Sequence, residues 1–127
     1  MRLSDARVEP AIAVTDMDRA RQFYEERLGL SGGADEEYGG HTYPCGDGTQ
    51  IHVFPSPNAG GSGATVAGWA VDDVEATVEE LSSKGVAFEQ YGEPLNTDER
   101  GVARLPNGHG AWFKDPDGNT HGLFERT

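Results

Sequence analysis

The chain has 127 residues, enough for one domain with a core of its own. It carries 22 acidic residues against 10 basic ones, a formal net charge of −12. That balance excludes nucleic acid and anionic membrane surfaces as expected partners, because phosphate binding needs clustered Lys and Arg.

A single cysteine, Cys45, rules out an intrachain disulfide. Residues 1–7 lack the apolar stretch of a signal peptide, and no apolar run approaches membrane-spanning length. A reducing, cytoplasmic setting is the expectation.

The first strand is expected over 7–14, with Val8, Ile12 and Val14 alternating against Glu9, Ala11 and Ala13. Thr15 and Asp16 offer N-cap oxygens, and apolar positions Met17, Ala20, Tyr24 and Leu28 predict a helix over 17–28, stopped by Gly29. Residues 31–40 read as a loop or a weak strand, and 42–45 as a strand. Asp47-Gly48 then turns the chain into a strand at 50–54. There Gln50, His52 and Phe54 share one face, while Ile51 and Val53 share the other.

Residues 55–65, rich in Gly, Pro and Ser, read as a linker between two halves of a single domain: one module over about 5–56, the other over about 65–127. The second half repeats the plan, with a strand at 66–71, a helix at 74–84 behind Asp72 and Asp73, and strands at 86–91 and 102–105. A turn at 106–110 leads to a closing hairpin around Asp115-Pro116-Asp117-Gly118-Asn119.

Two registers make this a repeat. Val14-Thr15-Asp16 matches Val71-Asp72-Asp73 at an offset of 57, and the segment from Asp47 to Phe54 matches Asp117 to Phe124 at an offset of 70. Each strand set has one apolar face for its helix; the opposite faces are expected to form a shared concave pocket.

These segments resemble the vicinal oxygen chelate superfamily of glyoxalases, bleomycin resistance proteins and extradiol dioxygenases. The resemblance spans nearly the whole chain. It rests on Ala11-Ile12-Ala13-Val14-Thr15-Asp16, Phe23-Tyr24, Leu28-Gly29-Leu30, Gly68-Trp69-Ala70-Val71-Asp72-Asp73 and Trp112-Phe113-Lys114-Asp115-Pro116-Asp117-Gly118-Asn119. It implies an α+β fold of two paired βαβββ modules forming an open, U-shaped sheet, in homodimers whose sites can combine modules from both chains.

Metal-using members of that superfamily place ligands at four strand positions, which fall here at Glu9, His52, Val66 and Gly122. Glu9 and His52 can ligate a divalent metal; Val66 and Gly122 cannot. A catalytic site normally has about three protein ligands, so none is expected unless Gln50 or His41 assists. The candidate ligand-binding set is Glu9, Tyr43, Gln50, His52, Phe54 and Trp112.

The expected function is binding of a small organic molecule without a complete metal site. The alternatives are a divalent-metal-dependent lyase, isomerase or dioxygenase using Glu9 and His52, and a dimeric interaction module without a ligand. His121 and Trp69 are read as packing residues, and a Cys45–His41 nucleophile is disfavoured by their separation along a strand.

Overall fold

The computed structural model of the chain describes residues 1–125. The first half comprises β1 (Ala11–Val14), α1 (Met17–Arg21), β2 (Ala34–Asp35), β3 (His41–Pro44) and β4 (Gln50–Pro55). The second comprises β5 (Thr65–Ala70), α2 (Val74–Ser83), β6 (Ala103–Leu105), β7 (Gly108–Lys114) and β8 (Thr120–Phe124).

Each half is a βαβββ unit with its own four-stranded sheet, ordered β1-β4-β3-β2 and β5-β8-β7-β6. In both sheets the strand before the helix pairs in parallel with the last strand, and the other pairs are antiparallel. This is the α+β pair of modules expected from the sequence. The register reproduces both offsets: His52 lies opposite Ala11 and Thr42, and Gly122 lies opposite Gly68 and Trp112.

The helices begin where an acid can take their free N–H groups. The Asp16 carboxylate accepts from the amides of Asp18 and Arg19, and Asp73, its repeat counterpart, accepts from Ala76. After Arg21 the first helix widens to π geometry over Gln22–Arg27, where Phe23 and Tyr24 are buried. In α2, Val74, Val78 and Leu81 form the buried stripe at helical spacing.

These helices bury one face of each sheet. On the first sheet Ile12, Val14, Tyr43, Ile51 and Val53 are buried; on the second, Ala67, Ala111, Phe113, His121 and Leu123. Each such Val, Ile, Leu or Phe side chain contributes roughly 1.5–3 kcal/mol by leaving water.

The segment from α1 onward touches both buried faces. Tyr24 stacks on Tyr43 with ring centroids 6.3 Å apart and meets His121 edge-on at 5.6 Å, while Phe23 lies 6.2 Å from Phe113. The modules therefore share one core with α1 inside it, and the opposite faces of the two sheets point away from that core. Within one chain they do not enclose the shared pocket expected from the sequence, because the helical layer lies between the sheets.

The Asp115–Asn119 turn joins the modules. The Asp115 carboxylate accepts from the amides of Asp117 and Asn119 and from the Tyr24 hydroxyl at 2.7 Å. The Asp117 carboxylate takes the Thr15 amide and hydroxyl and pairs with Arg19, and the Asn119 amide donates to the Ala13 carbonyl at 2.8 Å. The most recognisable stretch of the sequence thus pins the second module to the β1–α1 junction.

Three expectations are corrected. Residues 86–91 form no strand; only Phe88 bridges to Phe113, and the Glu89 amide donates to the Trp112 carbonyl. On the same edge of β7, β6 pairs with Gly108–Gly110 and the 86–91 segment makes only this short contact beyond it. The expected turn at 106–110 tightens to Pro106-Asn107, with β7 starting at Gly108. The first strand begins only at Ala11, so Glu9 precedes it.

Candidate functional site

The outward face of the first sheet carries a polar cluster built on His52. Its Nε2 lies 2.9 Å from Glu9 Oε1 and its Nδ1 lies 2.7 Å from Glu36 Oε2. Gln50 donates to Glu9 Oε1 at 2.9 Å, and the Thr42 hydroxyl donates to Glu36 Oε2 at 2.6 Å. Arg7 Nε stands 3.0 Å from Glu9 Oε2, an ion-pair distance without hydrogen-bond alignment.

A ring with a carboxylate at each nitrogen favours its charged form. Hydrogen bonds to Glu36 and then Glu9 raise the His52 pKa above its ordinary value. The Gln50 amide, followed by His52, lowers that of Glu9, and the Thr42 hydroxyl, followed by His52, lowers that of Glu36.

The outward face of the second sheet is apolar. A groove of about 550 Å³ runs over Gly68, Leu105, Gly110, Trp112, Gly122 and Phe124, a volume in the range of ligand pockets. Tyr91 packs edge-on against Trp112, with centroids 5.7 Å apart and planes at 74°.

Of the six candidate ligand-binding residues, Glu9, Gln50, His52 and Phe54 lie on the first outward face or at its margin, and Trp112 lies on the second. Tyr43 is corrected. It shares the core face with Ile51, is 1% exposed, and donates its hydroxyl to Glu25 at 2.7 Å. Strand alternation assigns the outward place to Thr42 instead, a signal already present in the sequence. Glu36 and Arg7 were missed; nothing in the pattern of the acidic 31–40 segment marks one glutamate over its neighbours.

The residues present do not fit the divalent metal implied by the resemblance. Glu9 and Glu36 approach opposite nitrogens of the His52 ring, so they do not converge on one point. Val66 sits at a bulge of β5 and, like Gly122, offers no donor atom. His41 points to the core side, with one nitrogen on Asp35 and the other on the Gly32 carbonyl. Among the described residues no group of three or more His, Cys, Asp or Glu is arranged to hold a metal ion. The Cys45 thiol is held up in pKa by burial and contacts the Tyr43 carbonyl, not His41.

His121 and Trp69 are packing residues, as expected. The Trp69 indole donates to His121 Nδ1 at 3.0 Å, which leaves the proton on Nε2, 2.8 Å from the Tyr24 oxygen. Tyr24 in turn donates to Asp115. Phe113 stacks on the His121 ring with planes 4° apart.

The model of the Glyoxalase/Bleomycin resistance protein/Dioxygenase superfamily matches residues 7–122. The chain belongs to that superfamily. The chain is 31% identical over 122 residues to YetH, an uncharacterized protein of Bacillus subtilis (strain 168), covering 91% of this chain and 93% of that one.

Among solved structures, TnmS3, an antibiotic binding protein from Streptomyces sp. CB03234, superposes with a TM-score of 0.72 at 25% identity, covering 99% of this chain and 100% of that one. A superfamily member from Sphaerobacter thermophilus DSM 20745 shares the fold, with a TM-score of 0.71 at 24% identity over 97% of this chain and 99% of that one. No helix among the described residues is long and apolar enough to cross a membrane.

Proposed function

We propose that this superfamily member binds a small organic molecule, and that two copies of the chain assemble the site. The apolar groove of one copy supplies the floor, and the Glu9–His52–Glu36 cluster of the other supplies the polar wall. The observation that carries this reading is the outward orientation of the two faces on either side of one core: each holds half of what a pocket needs. The antibiotic binding of TnmS3, a protein of the same fold, supports a small-molecule ligand.

A homodimer supplies the missing halves. Among the described residues β1 and β5 each have a neighbour on one side only; exposed Val8 lies just before β1 and exposed Val66 within β5. Two-fold pairing would set β1 of one copy beside β5 of the other twice over, covering both edges and the apolar side chains. With two of the four metal positions, Val66 and Gly122, lacking donors, the binding chemistry falls to apolar contact and hydrogen bonding.

A thermal-shift panel of aromatic metabolites, cationic antibiotics and thiol adducts tests the reading. A ligand at 100 times its dissociation constant stabilises by about 2.7 kcal/mol and raises the melting temperature. Stoichiometric metal in protein purified without chelator, lost in both Glu9→Ala and His52→Ala, would instead establish the lyase, isomerase or dioxygenase reading. No shift across the panel would leave the interaction module.

A further inference from the structure

On the helix side of the second sheet, opposite the groove, the packing is left open. A recess of about 160 Å³ lies between α2 and the end of the first helix. Leu28 and Leu30 form one side, Leu81 of α2 the other, and Trp69, Phe113 and Leu123 of the sheet the back. An apolar cavity of about this size stays dry and takes a benzene ring.

The internal repeat accounts for the opening. The offset of 57 that lays Asp73 on Asp16 also lays Glu80 and Leu81 on Phe23 and Tyr24. In the first module both rings are buried, with Phe23 6.2 Å from Phe113 and Tyr24 5.6 Å from His121. In α2 a leucine stands in place of the tyrosine, and an acid in place of the phenylalanine. Glu80 is exposed and pairs with Lys84 at 3.8 Å. The layer under α2 therefore lacks the aromatic bulk that fills its counterpart.

We infer that this recess is a second binding site, for an uncharged single-ring aromatic molecule. Its inner polar atoms are already engaged. The Trp69 indole donates to His121 Nδ1 at 3.0 Å, and the Thr77 hydroxyl donates to the Asp73 carbonyl at 2.8 Å. A polar ligand would lose its water against these walls without gaining a partner. An aromatic ring loses little and gains ring contacts with Trp69 and Phe113. A protein partner is a poor fit, since a stable interface needs about 800 Å² from each side. The recess admits one ring, and the Glu80–Lys84 ion pair stands at its rim.

Toluene is the probe, followed by NMR of the indole N–H groups in the full chain. The two tryptophans report separately: Trp69 lines the recess and Trp112 the groove. Toluene should shift the Trp69 signal saturably. Leu81→Phe, which restores an aromatic ring to α2, should weaken that binding at least about tenfold in a protein of unchanged circular dichroism. Thr77→Leu fills the recess from the next turn and should do the same if Leu81→Phe does not fold. A shift of Trp112 alone overturns the recess as a site and leaves the groove reading standing. No shift of either signal at saturating toluene overturns it too, as does undiminished binding in a folded filling variant.

Discussion

His52 and His121 are two histidines on opposite faces of equivalent hairpins, and their surroundings push them in opposite directions. His52 is held charged by Glu36 and Glu9, so its folded pKa exceeds the ordinary value. Its contribution to stability is present below the unfolded pKa and fades as pH rises through the folded one. Imidazole NMR should show His52 titrating above about 6.5, and Glu36→Gln should move it back towards that value.

His121 is buried, and desolvation lowers its pKa to about 4. The unfolded chain takes up a proton near pH 6.5 that the folded chain refuses until about 4, so stability falls as pH drops across that window. The loss from this group amounts to roughly 3 kcal/mol. Denaturation midpoints measured from pH 7 to 4 should show this slope, and His121→Gln should flatten it. The contrast was partly legible beforehand, because parity along the strand separates His121 from Gly122. What parity could not supply was the partner list, since Glu36, Tyr24 and Trp69 arrive from distant segments.

At the level of elements, the matching offsets translated directly into strand register, because a two-residue period ties sequence position to sheet face. Legibility failed where a segment's partner, and not its own pattern, decides its state. Residues 86–91 alternate like a strand and bury Val86, yet they meet β7 only through the Phe88–Phe113 bridge and the Glu89 amide on the Trp112 carbonyl.

The signature turn shows the same division. Its composition predicts a turn, while its purpose lies in bonds to Ala13, Thr15 and Tyr24. Asn119→Ala removes the amide that bonds both Ala13 and Asp115, and should destabilise the protein by about 1–3 kcal/mol in urea titrations. Asp73→Ala, which uncaps α2, should be milder, at about 1 kcal/mol. If the turn variant proves the more tolerant of the two, the turn does not join the modules as described.

For the whole molecule, the sequence argued well for two modules and poorly for how they face each other. Each module's periodicity says which face is apolar. Only tertiary contacts, above all Tyr24 between Tyr43 and His121, say that both apolar faces close on one helical layer. That arrangement turns Trp112 and His52 outward and makes a second copy the natural source of the opposite wall.

Subunit mixing tests this most directly. Trp112→Leu and His52→Ala, each deficient in ligand binding when alone, are unfolded together and refolded. If sites combine faces from two chains, mixed dimers contain one intact site, and random pairing should restore about a quarter of the wild-type binding stoichiometry. If no binding returns although mixed dimers form, each site lies within one chain and the account is wrong.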